Sequence, residues 1–246
     1  MTGVSTLNRK KYTMGRTGNM GKYNFKIESI DPRTTFGKIL QQVPEGSEVL
    51  ECGCATGYMT RFMKEKLNCT VDVIEYDFDA IKQAKLFARD GFCGDLADLE
   101  WCEYFDGRKY DRILFADVLE HLRERDPMIV LKYARQFLKD DGRIIVSIPN
   151  ICHNDIIIRM FNDSFTYTEL GLLDNTHIHF WGIGDFLAEA KEIGLEAETV
   201  DATQLATGTT EQRIPYDMMD KELLNVLLKR QYGTVYQWII TLKRSV

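Results

Sequence analysis

The residues from Val49 to Tyr58 run from an apolar stretch, through a loop of small side chains, into a helical pattern. Small residues let a backbone come close to a ligand, and the first turn of the following helix offers N–H groups with no intrahelical partner. Such a loop can cradle a polar ligand, and its spacing narrows which one. Dinucleotide enzymes carry a G-x-G-x-x-G pattern here, whereas Gly53, Ala55 and Gly57 recur at every second position behind the acidic Glu51. A carboxylate at the mouth of the loop repels a pyrophosphate and suits a ligand bearing an ammonium and a sulfonium. A nucleotide-dependent oxidoreductase is disfavoured on both grounds.

Two more acidic residues follow in order. Glu75 closes the next apolar run, where a carboxylate can accept both hydroxyls of a ribose. Asp95, followed by Leu96, comes after a third short apolar stretch and is suited to accept from an exocyclic amine of a base. Cys54, Tyr58 and Tyr76 flank these positions and are expected to pack against the ligand. Farther on, Ala116 and Asp117 end a fourth apolar run that leads to His121, and a second candidate, His177, lies in a segment rich in aromatics, His and Asn. Histidine has the unperturbed pKa best suited to general-base work near neutrality. Against catalysis, His121 could simply orient a loop and His177 could pin a lid. His153 and His179 read as structural. Asp174, His177 and His179 could together hold a divalent cation, but His at alternate positions reads as readily as one buried and one exposed ring, so no metal is assigned.

These residues need a scaffold that brings several strand ends to one edge. Short apolar runs alternate with amphipathic ones: strands at Val49–Cys52, Val71–Glu75, Phe92–Cys93, Arg112–Ala116 and Arg143–Ile148, with helices at Met59–Leu67, Asp79–Ala88 and Pro127–Leu138. The turn Asp140-Asp141-Gly142 opens the fifth strand. A helix near Gly184–Ile193 and strands at Leu195–Val200 and Val235–Leu242 complete the pattern. It predicts an α/β fold: a Rossmann-like, doubly wound, mostly parallel seven-stranded sheet with helices on both faces and a lid insertion after the fifth strand. Segments 149–182 and 202–233, the second with a helix at Lys221–Lys229, break the alternation. Insertions there overhang the carboxyl ends of the strands, where open α/β sheets bind ligands. Phe161, Phe165, Tyr167, Phe180 and Trp181 are expected either to line an acceptor pocket or to form a small core beneath the lid.

Taken together, the loop, Glu75, Asp95 and Phe115-Ala116-Asp117-Val118-Leu119-Glu120-His121 resemble the successive motifs of class I S-adenosylmethionine-dependent methyltransferases, over roughly residues 37–200. The resemblance implies that Glu51, Gly53, Ala55 and Gly57 hold the methionine portion, Glu75 the ribose and Asp95 the adenine. S-adenosyl-L-methionine is then the cofactor and S-adenosyl-L-homocysteine the product. Many members have glycine where this chain has Ala55, whose methyl is tolerated if the backbone keeps negative φ. A narrower resemblance comes from Ser147-Ile148-Pro149-Asn150 and Gly171-Leu172-Leu173-Asp174-Asn175-Thr176-His177-Ile178-His179-Phe180, which look like methyltransferases associated with bacterial glycosyltransferases of surface polysaccharide biosynthesis. That implies a sugar or glycoconjugate hydroxyl as acceptor, a glycosyltransferase as associate, and leaves a homodimer open. A quinone, small acid or amine acceptor stays open as well, as does a non-catalytic cofactor-binding subunit.

Composition agrees. The 246 residues are 44% hydrophobic and 28% charged, enough for one sizeable core: a domain over 37–246, preceded by an extension over 1–36 that folds over the cofactor site, with Tyr23 toward its methionine end. A net charge of −6 without a dense basic run argues against nucleic acid or an anionic membrane as partner and favours a small molecule. Six scattered cysteines without C-x-x-C pairs point to a reducing cytoplasm rather than to disulfides or structural zinc. The polar, basic start is neither a signal peptide nor an anchor, and no apolar run is long enough to span a bilayer.

Overall fold

A computed structural model describes residues 30–123, 125–213 and 220–245. Most of the expected extension over 1–36, Tyr23 included, lies outside the described residues. In chain order the sheet strands are β1 (Glu48–Cys52), β2 (Thr70–Glu75), β3 (Asp90–Cys93), β4 (Tyr110–Ala116), β5 (Leu138–Pro149), β6 (Leu195–Gln204) and β7 (Val235–Arg244). The helices are α1 (Thr35–Leu40), α2 (Tyr58–Leu67), α3 (Phe78–Ala84), α4 (Glu100–Tyr104), α5 (Pro127–Ala134), α6 (Asn154–Phe161), α7 (Ile183–Glu192) and α8 (Lys221–Leu228).

The strands lie in the order β3-β2-β1-β4-β5-β7-β6. Pairing is parallel from β3 through to β5, and β7 runs antiparallel to both β5 and β6. Strand order reverses between β1 and β4, so their carboxyl ends flank the crevice in which open α/β sheets bind ligands.

Alternation along the central strands splits the core in two. Val49, Leu114, Ile145 and Ile239 face α1, α2 and α3 through Ile39, Met59, Met63 and Ile81. Their neighbours Leu50, Ile113, Phe115, Ile144, Val146 and Ile240 face Trp101, Phe105, Met128, Leu131 and Phe186 on α4, α5 and α7. Burial on both faces explains why these strands read as continuous apolar runs.

The insertion after β5 is built around α6. His153 caps that helix, its ring accepting from the Asp155 N–H at 3.1 Å, and Ile156, Leu172 and Leu173 form a separate small core with Phe180 and Tyr236. The insertion after β6 rests α8 on α6 through Ile158 and Leu227. The Asp140-Asp141-Gly142 turn, expected to precede β5, lies within it beside a register shift at Tyr110/Arg112. Among the described residues no helix is long and apolar enough to cross a membrane.

Candidate active site

The loop after β1 is tied to β2 by its backbone: the Gly53 and Cys54 N–H groups both donate to the Ile74 carbonyl, at 2.9 and 3.2 Å. Two glycines are required here. Gly53 has φ +75° and a Cβ on it would sit 2.7 Å from Val118 Cγ2, while Gly57 has φ +81° and its Cβ would sit 2.5 Å from Ala84 Cα. The first contact presses the loop against the turn after β4, and the second lets α2 start directly above α3. Ala55 does not keep the negative φ expected for a residue with a methyl: its φ is +48°. The left-handed conformation costs a non-glycine residue about 1–2 kcal/mol. It turns the Ala55 N–H onto Glu75 Oε2 at 2.8 Å.

Glu75 also accepts the Asp77 N–H on Oε1 at 3.0 Å. Each carboxylate oxygen therefore spends one lone pair on the backbone and keeps one for a ligand hydroxyl. Burial raises its pKa, with the Asp77 and Ala55 N–H bonds opposing the rise. Glu51 is more deeply placed, 2% exposed beneath the loop, and accepts the Thr60 hydroxyl at 2.5 Å. Burial pushes its carboxyl up to about 8, the Thr60 bond pulls it down, and the charge of Glu75 adds to the rise. Cys54 is buried beside them and its thiol is pushed up by the same desolvation.

Farther along the edge, Asp95 accepts the Ala97 N–H on Oδ1 at 2.8 Å, and no described residue bonds its Oδ2. Leu96 packs its side chain into the core and its carbonyl accepts from the Trp101 indole at 3.0 Å. Tyr76 is 75% exposed next to Glu75, a free aromatic face at the site edge. Tyr58 is half-buried against Phe36, ring centroids 6.5 Å apart.

The crevice opens past β4. Asp117, at φ +52°, is held from β5 and β7: Ser147 Oγ donates to Oδ1 at 2.5 Å and Gln237 Nε2 donates to Oδ2 at 2.9 Å. Burial raises its pKa against those two bonds. Beyond it, the turn Leu119–His121 brings Glu120 and His121 up to the lid segment that carries His177. The carbonyl of Glu120 accepts the N–H groups of Ile178 and His179, at 2.9 and 3.2 Å, so the two histidines meet ring to ring with centroids 4.7 Å apart.

Both rings are oriented through Nδ1. His121 Nδ1 faces Thr176 Oγ1 at 3.0 Å and the Thr176 carbonyl at 3.4 Å. The Thr176 hydroxyl donates to Asp174 Oδ1 at 2.6 Å, so it accepts from the ring. His177 Nδ1 faces the Leu172 carbonyl at 3.3 Å. With only acceptors opposite, each Nδ1 carries the proton and each Nε2 keeps its lone pair. Burial, more than any neighbour, lowers the pKa of both rings.

A cavity of about 300 Å³ lies against these side chains, bounded also by Asp117, Asp174, Tyr236 and Gln237. Tyr236 bounds it, but none of the five aromatics expected to line an acceptor pocket does. Phe161, Phe165 and Tyr167 are exposed, Phe180 packs on the small lid core, and Trp181 is buried in the main core. The histidines expected to be structural are so bound: His179 faces the Leu122 carbonyl at 2.8 Å and stacks on Trp181, and His153 faces the Leu205 carbonyl at 3.0 Å. His179 is therefore turned away from Asp174 and His177. Three site residues were not singled out in the sequence: Glu120 and Ser147 appear there only within longer motifs, and Gln237 carries no signal.

Residues 27–200 match the family described as "Methyltransferase domain". The chain belongs to that family. A methyltransferase from Archaeoglobus fulgidus described as SAM dependent shares the fold with a TM-score of 0.62 at 14% identity, over 86% of this chain and 92% of that one. The magnesium protoporphyrin IX methyltransferase of Synechocystis, solved with bound SAH, superposes with a TM-score of 0.53 at 16% identity, over 82% and 75% of the two chains. A curated relative, the sphingolipid C9-methyltransferase of Candida albicans, is 23% identical over 205 residues, 78% of this chain but 39% of its own length. The chain thus spans about two fifths of that relative. It carries a methyltransferase domain with the fold of those solved structures.

Proposed function

We propose that this methyltransferase transfers the methyl group of S-adenosyl-L-methionine to a hydroxyl of a sugar or glycoconjugate bound in the cavity beside His121 and His177, releasing S-adenosyl-L-homocysteine. The observation that carries the reading is the polarity of that cavity. Carboxylates, imidazoles, an amide and a phenol share the wall of a space of about 300 Å³ with Pro149, Leu170 and Leu172, a lining whose polar groups match the hydroxyls of a polyol. The sphingolipid acceptor named for the Candida albicans relative is the competing class.

On this reading, Gly53, Ala55 and Gly57 bring the backbone to the methionine portion, and the ammonium of the ligand draws the buried Glu51 carboxyl, neutral without it, toward its ionised form. Glu75 takes the ribose hydroxyls with its two remaining lone pairs, Asp95 meets the adenine amine, and Cys54, Tyr58, Tyr76, Leu96, Ala116 and Asp117 complete the walls. Methyl transfer is an in-line displacement at a sulfonium carbon, so alignment and exclusion of water carry most of the rate. The acceptor oxygen forms a bond to the methyl carbon, the carbon–sulfur bond breaks with its electron pair going to sulfur, and the hydroxyl proton leaves with help from the lone pairs of His121 and His177. The six free cysteines suit a cytoplasmic setting. The Leu-Leu-Asp-Asn-Thr-His element supports action alongside a glycosyltransferase of polysaccharide assembly.

Incubation with methyl-labelled cofactor and a panel of nucleotide sugars, oligosaccharides, quinones and sphingolipids tests the assignment, with label expected in a sugar ether. Label found only in a lipid or an amine overturns it. His177→Ala is expected to lower turnover while cofactor affinity stays intact, and wild-type turnover in that variant removes His177 from the reaction.

A further inference from the structure

Glu120 is the least explained side chain in the cavity wall. It is 1% exposed, yet Oε2 has no hydrogen-bond partner among the described residues, and His177 Nε2 lies 4.0 Å from its Oε1. A buried carboxyl oxygen without a partner is costly to leave unsatisfied. Nearby Asp117 shows the contrast, because both of its oxygens are satisfied by Ser147 and Gln237.

We propose that Glu120, His121 and His177 form a divalent transition-metal site whose open positions face the cavity and take oxygens of the methyl acceptor. One ligand atom from each of the three residues lies within 4.8 Å of the other two. A cation bonded at about 2.0–2.2 Å in tetrahedral geometry sets its ligands about 3.3–3.6 Å apart, so modest side-chain rotation closes the set from the 4.0 Å seen between Glu120 and His177.

The hydrogen bonds around the rings are those a metal centre needs. Ligating histidines almost always donate the other ring N–H to a carbonyl or carboxylate relay, which fixes the tautomer and aims the lone pair. His177 does so to the Leu172 carbonyl, and His121 through Thr176 to Asp174. Two imidazoles and one carboxylate favour Zn²⁺, Mn²⁺ or Fe²⁺ over Mg²⁺ and Ca²⁺, which prefer all-oxygen shells. Three protein ligands leave a position for substrate. The set differs from Asp174, His177 and His179, the trio suggested by sequence proximity, because His179 bonds Leu122 instead.

The inference rests on the reading that the cavity holds an oxygen acceptor, and it changes the part played by the histidines. As ligands they hold the cation and do not take the proton themselves. An acceptor hydroxyl bound to the cation loses its proton to water more readily, and the resulting alkoxide attacks the methyl carbon.

The test uses the full chain, stripped with a chelator and titrated with Co²⁺, whose visible absorption reports nitrogen and oxygen coordination. One equivalent per chain is expected. Glu120→Gln and His177→Ala are expected to weaken Co²⁺ and Zn²⁺ binding by at least about tenfold, with calorimetric affinity for S-adenosyl-homocysteine unchanged, which certifies that the variants are folded. Should a variant fail that check, Thr176→Ala, which breaks only the relay to Asp174, is expected to weaken Co²⁺ binding in the same direction. Metal-stripped protein that shows no Co²⁺ spectrum yet methylates a sugar hydroxyl overturns the site and leaves the methyl-transfer reading standing. A Co²⁺ spectrum that is lost in Glu120→Gln, from a protein that methylates no hydroxyl, supports the site and overturns the hydroxyl assignment.

Discussion

Replacing Glu75 separates its two tasks. The carboxylate accepts backbone N–H groups from Ala55 and Asp77 and, in the proposed role, also accepts the ribose hydroxyls. In Glu75→Ala both ligand contacts disappear. A hydrogen bond to a charged group contributes about 1.5–3 kcal/mol, so losing a single one raises the cofactor Kd by about 10- to 150-fold, and losing both raises it further. The same change strands two backbone donors, which costs the fold on the order of 1–3 kcal/mol each where they are shielded from water. Glu75→Gln keeps one acceptor oxygen and nearly the same shape, and its loss of affinity belongs at the lower end of that range. Titration calorimetry with S-adenosyl-methionine and S-adenosyl-homocysteine, paired with urea denaturation of each variant, distinguishes the two tasks. A lowered urea midpoint with unchanged affinity for both ligands would show that Glu75 only props the loop, and would refute the ribose assignment.

Two further outcomes concern the same loop. Ala55→Gly relieves about 1–2 kcal/mol of left-handed strain against roughly 0.5–1 kcal/mol of added chain entropy, so it is expected to stabilise the fold by up to about 1.5 kcal/mol in urea melts; a clearly destabilised variant contradicts the +48° backbone. Glu51 carries a carboxyl raised from 4.5 to about 8, so across that window the native chain holds a proton that the unfolded chain has released. Stability therefore falls as pH rises through the window, at up to about 1.4 kcal/mol per pH unit from this group. Glu51→Gln is expected to make the pH dependence shallower, and an identical profile in the variant refutes the buried, protonated carboxyl.

The sheet was legible in the sequence because each central strand is an apolar run that ends at a turn, and the alternating burial on two faces follows from those runs. The helices that escaped notice have local reasons. In α6, the β-branched run Ile156-Ile157-Ile158 reads as strand, and its cap is a histidine rather than the usual Ser, Thr, Asp or Asn. Short α1 and α4 offer too few turns for a period to show. The expected helix Asp79–Ala88 stops at Ala84, before the chain turns into β3. The residues proposed for the cofactor stood out in the sequence because each sits within a few positions of a strand end, β1, β2 or β3, so local spacing alone marks them. The acceptor half is assembled from distant parts of the chain: Ser147 and Gln237 lie 30 and 120 residues from the Asp117 they hold. Glu120 is defined only by what surrounds it.

The position of β7 governs the order in which the molecule can be completed. It lies between β5 and β6 although it is the last strand in the chain, so β6 has no sheet neighbour until residues 235–244 have been synthesised. During translation the parallel half from β3 to β5 can assemble early, while β6 waits for β7. That last strand also delivers Gln237, which reaches Asp117 on one side and accepts from Thr35 of α1 on the other. Loss of β7 therefore costs two strands and the Gln237 contacts together, leaving a half-sheet from β3 to β5 with an unpaired β5 edge, the sort of surface on which nascent chains associate.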